Sequence, residues 1–115
     1  MGVPVYLKCN SGSYTGDGTT ARAITGVGFA VKALWISKRL TGDGDATIFQ
    51  TWDTVVDDHA NGLAFLFQDN GAASDIVARE LRIKSLDDDG FTVDDGSADL
   101  APNKNTEVYN WFAIG

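Results

Sequence analysis

Apolar and polar residues alternate along most of this chain in short runs. Glycine, aspartate and asparagine interrupt the runs about every 8–12 residues, a spacing that suggests an all-β sandwich or barrel. Within residues 31–39, Leu34 and Ile36 fall on one side of an extended backbone and Trp35 and Ser37 on the other. Residues 47–52 continue with β-branched and aromatic side chains, which suit a pleated surface. Residues 63–67 are an unbroken apolar run, the pattern of a strand buried on both faces. Residues 76–86 alternate most cleanly, with Leu81 and Ile83 to one side and Glu80, Arg82 and Lys84 to the other. They predict one half-exposed strand, preferred over a helix across 74–82. The closing segment 106–114 sets Val108, Phe112 and Ile114 against Tyr109 and Trp111.

Weaker signals complete the set. Residues 3–8 predict an opening strand, 10–18 a turn-rich stretch, 19–24 a short strand, and 91–93 a strand entered from a tight turn at 87–90. Residues 53–62, 69–75 and 94–104 predict polar connections. The expectation is an all-β, antiparallel β-sandwich or jelly-roll-like barrel of about eight short strands. Residues 1–115 form a single domain, with 1–10 as an N-terminal contact arm or edge strand.

The acidic residues sharpen this picture. Fourteen are Asp and two are Glu. Asp competes with the backbone for hydrogen bonds and favours turns, and here it clusters beside glycine, as in Asp17-Gly18 and Asp89-Gly90. The alternative for the densest cluster is calcium, held by Asp87, Asp89, Asp94 and Asp95. An EF-hand counted from Asp87 would need an oxygen ligand at Phe91, so that pattern fails. Turn formation with solvated carboxylates explains the cluster more simply, and no cofactor is expected.

The net charge of −7 repels phosphate backbones and anionic bilayers, so neither nucleic acid nor membrane is an expected partner. Cys9 is the one cysteine, which rules out an intrachain disulfide. No apolar stretch is long enough for a membrane helix, and residues 1–8 lack the pattern of a secretory signal, so folding in a cytoplasm is expected. His59 follows Asp57 and Asp58, but no Gly-x-Ser-x-Gly elbow supplies a nucleophile, and the loop is expected to be only a loop. Paired carboxylates for glycoside hydrolysis need one in an apolar pocket, which runs of Asp in polar turns do not offer. The chain is therefore expected not to be an enzyme. Aromatic side chains at alternating strand positions are mostly core. Trp52 and Tyr14 are the candidates for a carbohydrate contact.

Several segments share a pattern with a known family. Tyr14-Thr-Gly-Asp-Gly18, Arg22-Ala-Ile-Thr-Gly-Val-Gly-Phe29 and Ala33-Leu-Trp-Ile-Ser-Lys38 form the opening; Asp89-Gly-Phe-Thr-Val93 and Val108-Tyr-Asn-Trp-Phe-Ala113 form the end. Together they resemble a small β-sandwich domain of tailed-bacteriophage virion structural proteins. The resemblance spans roughly residues 14–115 and rests on turn glycines and core aromatics. It implies a virion location after synthesis in the host cytoplasm. A short acidic domain without a shaft segment fits a capsid decoration (cement) protein that binds major capsid or other virion subunits, as a homo-oligomer such as a trimer. The alternative is a tail-fibre or tail-tip module that binds host-surface carbohydrate. For the decoration role, Val3, Val5, Tyr6 and Leu7 are the expected contact residues, because a terminal strand can add to a partner's sheet edge.

Overall fold

A computed structural model describes residues 7–39, 46–57, 62–69, 74–94 and 101–115. Among them the chain forms β1 (Cys9–Thr15), β2 (Arg22–Thr25), β3 (Ala33–Lys38) and β4 (Ala46–Trp52), then a short helix α1 (Asp53–Asp57). β5 (Leu63–Asp69), β6 (Ser74–Glu80), β7 (Ile83–Asp87), β8 (Gly90–Val93) and β9 (Val108–Ile114) follow. All pairings are antiparallel. Six strands make one sheet in the order β1-β9-β3-β4-β5-β6, and three make a second in the order β2-β8-β7. The architecture is the expected all-β, sandwich-like one.

The two sheets close over a single core. From the large sheet come Leu34, Ile36, Phe49, Leu66, Tyr109 and Trp111; from the small sheet come Ile83, Phe91 and Val93. Phe91 of the small sheet bridges the layers, meeting Trp111 edge-on at 5.8 Å and Tyr14 at 6.2 Å; within the large sheet Tyr14 stacks on Tyr109 at 5.3 Å. Offset-stacked and edge-to-face pairs are the favoured aromatic arrangements. The parity expected for β3 and β9 holds: Leu34 and Ile36 are buried, as are Tyr109 and Trp111.

Four expectations are corrected. Residues 10–15, expected as turn, belong to β1, because the whole length of β9 offers them a partner from Cys9↔Ile114 to Thr15↔Val108. Gly12 is there for closeness: a Cβ would lie 2.7 Å from the Trp111 ring. Residues 76–86 are two strands in different sheets, not one. The chain breaks at Leu81, which adopts φ 62°, so Ile83 enters the core while Leu81 is exposed. Residues 63–67 are not buried on both faces. Ala64 and Leu66 are fully buried, but Phe67 is exposed. The connection after β4 begins with α1, whose first N–H, at Asp53, donates to the Lys32 carbonyl. Residues 1–6 lie outside the described residues; β1, which follows Leu7 and Lys8, is an edge of the large sheet.

Candidate functional site

Residues 87–94 form the expected turn and hairpin, and three carboxylates there have definite work. Asp87 accepts from the Ser85 hydroxyl at 2.7 Å and from the Thr92 hydroxyl at 2.8 Å, one on each oxygen. Asp89 accepts the Gly26 and Gly28 N–H groups at 3.1 and 2.7 Å, again one on each oxygen, and its carbonyl accepts the Val27 N–H. Both glycines have positive φ, which aims these successive N–H groups at one carboxylate. Asp94 is nearly buried and pairs with Lys84 at 3.8 Å. Asp95 lies outside the described residues. Asp87, Asp89 and Asp94 each serve a different partner within the chain, the work expected of turn-forming carboxylates. Among the described residues no three His, Cys, Asp or Glu side chains gather. Asp58 and His59 lie outside those residues.

Asp17 shows the same chemistry at the Asp17-Gly18 step. The Thr19 hydroxyl and N–H, with the Asn103 amide, hold its carboxyl down at about 2. Asn103 is fully buried and also donates to the Thr19 carbonyl at 2.9 Å. Tyr14 is corrected from a surface candidate to a core residue. Its hydroxyl donates to the Pro102 carbonyl at 2.6 Å, and burial pushes its pKa well up. Of the expected contact arm, Leu7 is described and exposed, and Val3, Val5 and Tyr6 lie outside the described residues.

The feature that stands apart is the outer face of the large sheet, the side turned away from the small sheet. Directly paired residues in antiparallel strands point the same way, so the register defines rows across the sheet. One row runs Ser13, Asn110, Ser37, Ile48, Phe67, Ile76. The next runs Ser11, Phe112, Trp35, Gln50, Phe65, Ala78. A third holds Cys9, Ile114, Ala33 and Trp52, then Leu63 and Glu80 beyond a break in the ladder. Ile48, Trp52, Phe67, Ile76 and Phe112 are 37–69% exposed. They are five of the seven large apolar side chains exposed among the described residues, so the exposure is concentrated rather than scattered.

Charge is nearly absent from these rows. Glu80 is the one charged residue in them, although 22% of the chain is charged. Arg39 reaches the margin, where it donates to Asn110 at 3.2 Å. The aromatic rings are fixed against one another. Trp52 stacks on Phe65 at 5.5 Å with 19° between planes, and Trp35 packs on Phe112 at 5.8 Å. Pre-fixed rings lose little freedom when a partner covers them. Chemically the face offers apolar area, two side-chain amides (Gln50 and Asn110) and three hydroxyls (Ser11, Ser13 and Ser37), with no acid or base at its centre.

Of the site residues expected from sequence, Trp52 lies on this face and Tyr14 does not. Ile48, Phe67, Ile76 and Phe112 were not foreseen as exposed, nor Phe65 as part of this face. Their signal is the apolar content on both parities of β4, β5 and β9, which looks the same whether one face or two are covered.

No curated protein and no solved structure matches the chain. One family model matches residues 6–114, nearly the whole length, and the chain belongs to that family, described as a domain of unknown function (DUF7483).

Proposed function

We propose that this domain is a structural protein of a tailed-phage particle, and that it serves as a capsid decoration protein bound to major capsid subunits. The observation that carries the reading is the nearly charge-free apolar face of the six-stranded sheet, a surface that works by being covered. The opening and closing motifs shared with phage structural domains supply the setting. Binding alone is the mechanism: apolar area leaves water on docking, and many copies each contribute a modest interface. The edge strand β1, with Leu7 exposed just before it, offers a second contact by strand addition.

Immunogold labelling of particles from the phage that encodes the chain tests this. Label over the heads is expected; label confined to tails, or none on particles, overturns the decoration role. Removing residues 1–8 is expected to lower capsid occupancy, and undiminished occupancy removes the arm from the mechanism.

A tail module that binds host carbohydrate is the second reading. The exposed Trp52, braced on Phe65 beside the amide of Gln50, favours it, since flat rings stack on sugar faces. A glycan array separates the two: binding lost in Trp52→Ala supports the tail module, and a silent array removes it.

A further inference from the structure

We infer that the outer face of the six-stranded sheet is covered by the same face of a second copy of this chain, in a two-fold dimer. The inference rests on reading this face as a binding surface; it gives the face to a second copy and leaves the edge strand β1 for the capsid subunit.

Charge is the first argument. The chain carries a net −7, so two copies repel one another across most of their surfaces. A two-fold contact sets each patch against itself, and a patch of one sign would oppose its own charge. The three rows hold only Glu80, which lies on the edge strand β6. Two copies can therefore meet here without bringing like charges together at the centre.

Area is the second. Six strands about 4.8 Å apart, each six or seven residues long at about 3.3 Å per residue, make a face of roughly 29 by 23 Å. With side-chain relief this approaches the ~800 Å² per partner of a standard interface. Packing is the third. Sheets stack about 10 Å apart by interdigitating their side chains. The inner face of this sheet already does so with the small sheet, and the outer faces of two copies would repeat the arrangement.

The layout of the rows matches interface anatomy. Trp35, Ile48, Trp52, Phe65 and Phe67 lie on the central strands β3, β4 and β5. Ser11 and Ser13 on the edge strand β1 and Asn110 on β9 form a polar rim on one side. An apolar, aromatic centre with a polar rim is the usual organisation of a protein–protein contact. A sugar would find little here to bond, because Ile48, Phe67 and Ile76 fill one half of the face with side chains that neither donate nor accept.

Sedimentation velocity of the full chain from low to high micromolar concentration tests the inference. A dimer is expected. Ile48→Glu and Phe67→Glu, each placing an acid in the centre of the face, are expected to weaken it at least thirtyfold. Ser13→Glu at the rim is expected to change it less than threefold. Both central positions are exposed in the single chain, so far-UV circular dichroism of the variants should match the parent. A chain that stays monomeric at several hundred micromolar, a trimer, or a dimer indifferent to both central variants overturns the inference. The same variants assayed for capsid binding separate the two readings. A monomer whose capsid binding is lost in Ile48→Glu assigns the face to the capsid subunit and overturns the dimer alone. A dimer that ignores capsids keeps the inference and overturns the decoration role. A monomer with a glycan signal lost in Phe67→Glu gives the face to carbohydrate and overturns the dimer.

Discussion

The two faces of the six-stranded sheet are built from the same strands, yet only one of them lies under the small sheet. On the inner side Leu34, Phe49 and Leu66 are fully buried beneath the small sheet. Their direct neighbours along the chain, Trp35, Ile48 and Phe67, are as apolar but turn outward. In a sheet with one wet face, outward positions would be polar. Here Ser11, Ser13, Ser37, Gln50 and Asn110 are polar, but Trp35, Ile48, Trp52, Phe65, Phe67, Ile76 and Phe112 are not, so period-two alternation marks side without fully marking solvent. An apolar side chain in this sheet is fully buried where the small sheet reaches it, whereas the outward ones keep part of their surface in water.

The largest expected effect tests the inner side. Phe49→Ala removes a fully buried ring whose cavity the tight core cannot close, at a cost of about 3–5 kcal/mol. Phe67→Ala, on the adjacent strand, removes the same atoms from a partly exposed site, and in dilute solution it is expected to cost under about 1 kcal/mol. Urea unfolding of both at low concentration checks this. Equal losses would mean that the faces do not differ in the way described.

The same contrast explains how far the sequence could be read. The strands β3 and β9 and the turn at Asp87–Gly90 were legible, because alternation and Asp-Gly chemistry are local. The strand β1 was not. Its Asn, Ser and Gly residues have turn propensity, and only pairing with β9 and the Trp111 ring over Gly12 make them a strand. The break between β6 and β7 was also hidden, because no glycine, proline or asparagine marks it. Leu81 carries the positive φ itself, and the strand continues in the other sheet. At the candidate site Trp52 was legible as an aromatic that reaches the surface. The rest of the face was not, since sequence shows that both sides of β4 and β5 are apolar but not which side the small sheet covers.

A middle-sized effect is expected where the inner face is fastened at its margin. The segment 101–104 crosses the end of the core, and polar bonds hold it there. Tyr109 donates its hydroxyl to the Ala101 carbonyl, Tyr14 donates to Pro102, and Asn103 spans Asp17 and Thr19. Asn103→Ala leaves the Thr19 carbonyl without this donor and is expected to cost about 1–3 kcal/mol. It also removes one of the donors that hold the Asp17 carboxyl at about 2, after those of Thr19. The direction follows from linkage. A depressed native pKa adds stability that is present above the unfolded value, near 3.9, and is lost as pH falls through about 2. In Asn103→Ala the Asp17 titration seen by NMR should move upward, and its share of acid stability should be lost at higher pH. An Asp17 titration that does not move would mean that Thr19 alone holds it.

The smallest effect bears most directly on the outer face. Ile76 is the most exposed apolar side chain of the rows and lies on the edge strand β6. Ile76→Ser replaces a β-branched residue with one that has lower strand propensity, but it opens no cavity. In a single chain the change is expected to lie within about 0.5 kcal/mol. Anything that binds the folded state adds to apparent stability according to its concentration, and a second copy does so through the protein's own concentration. Melting temperature should therefore rise with protein concentration in the parent chain and rise less in Ile76→Ser, with the two curves meeting at high dilution. Phe49→Ala should lower the melting temperature at every concentration instead. If Ile76→Ser were as damaging when dilute as when concentrated, the outer face would be part of the fold's own core, and the distinction between a covered face and a waiting one would fail.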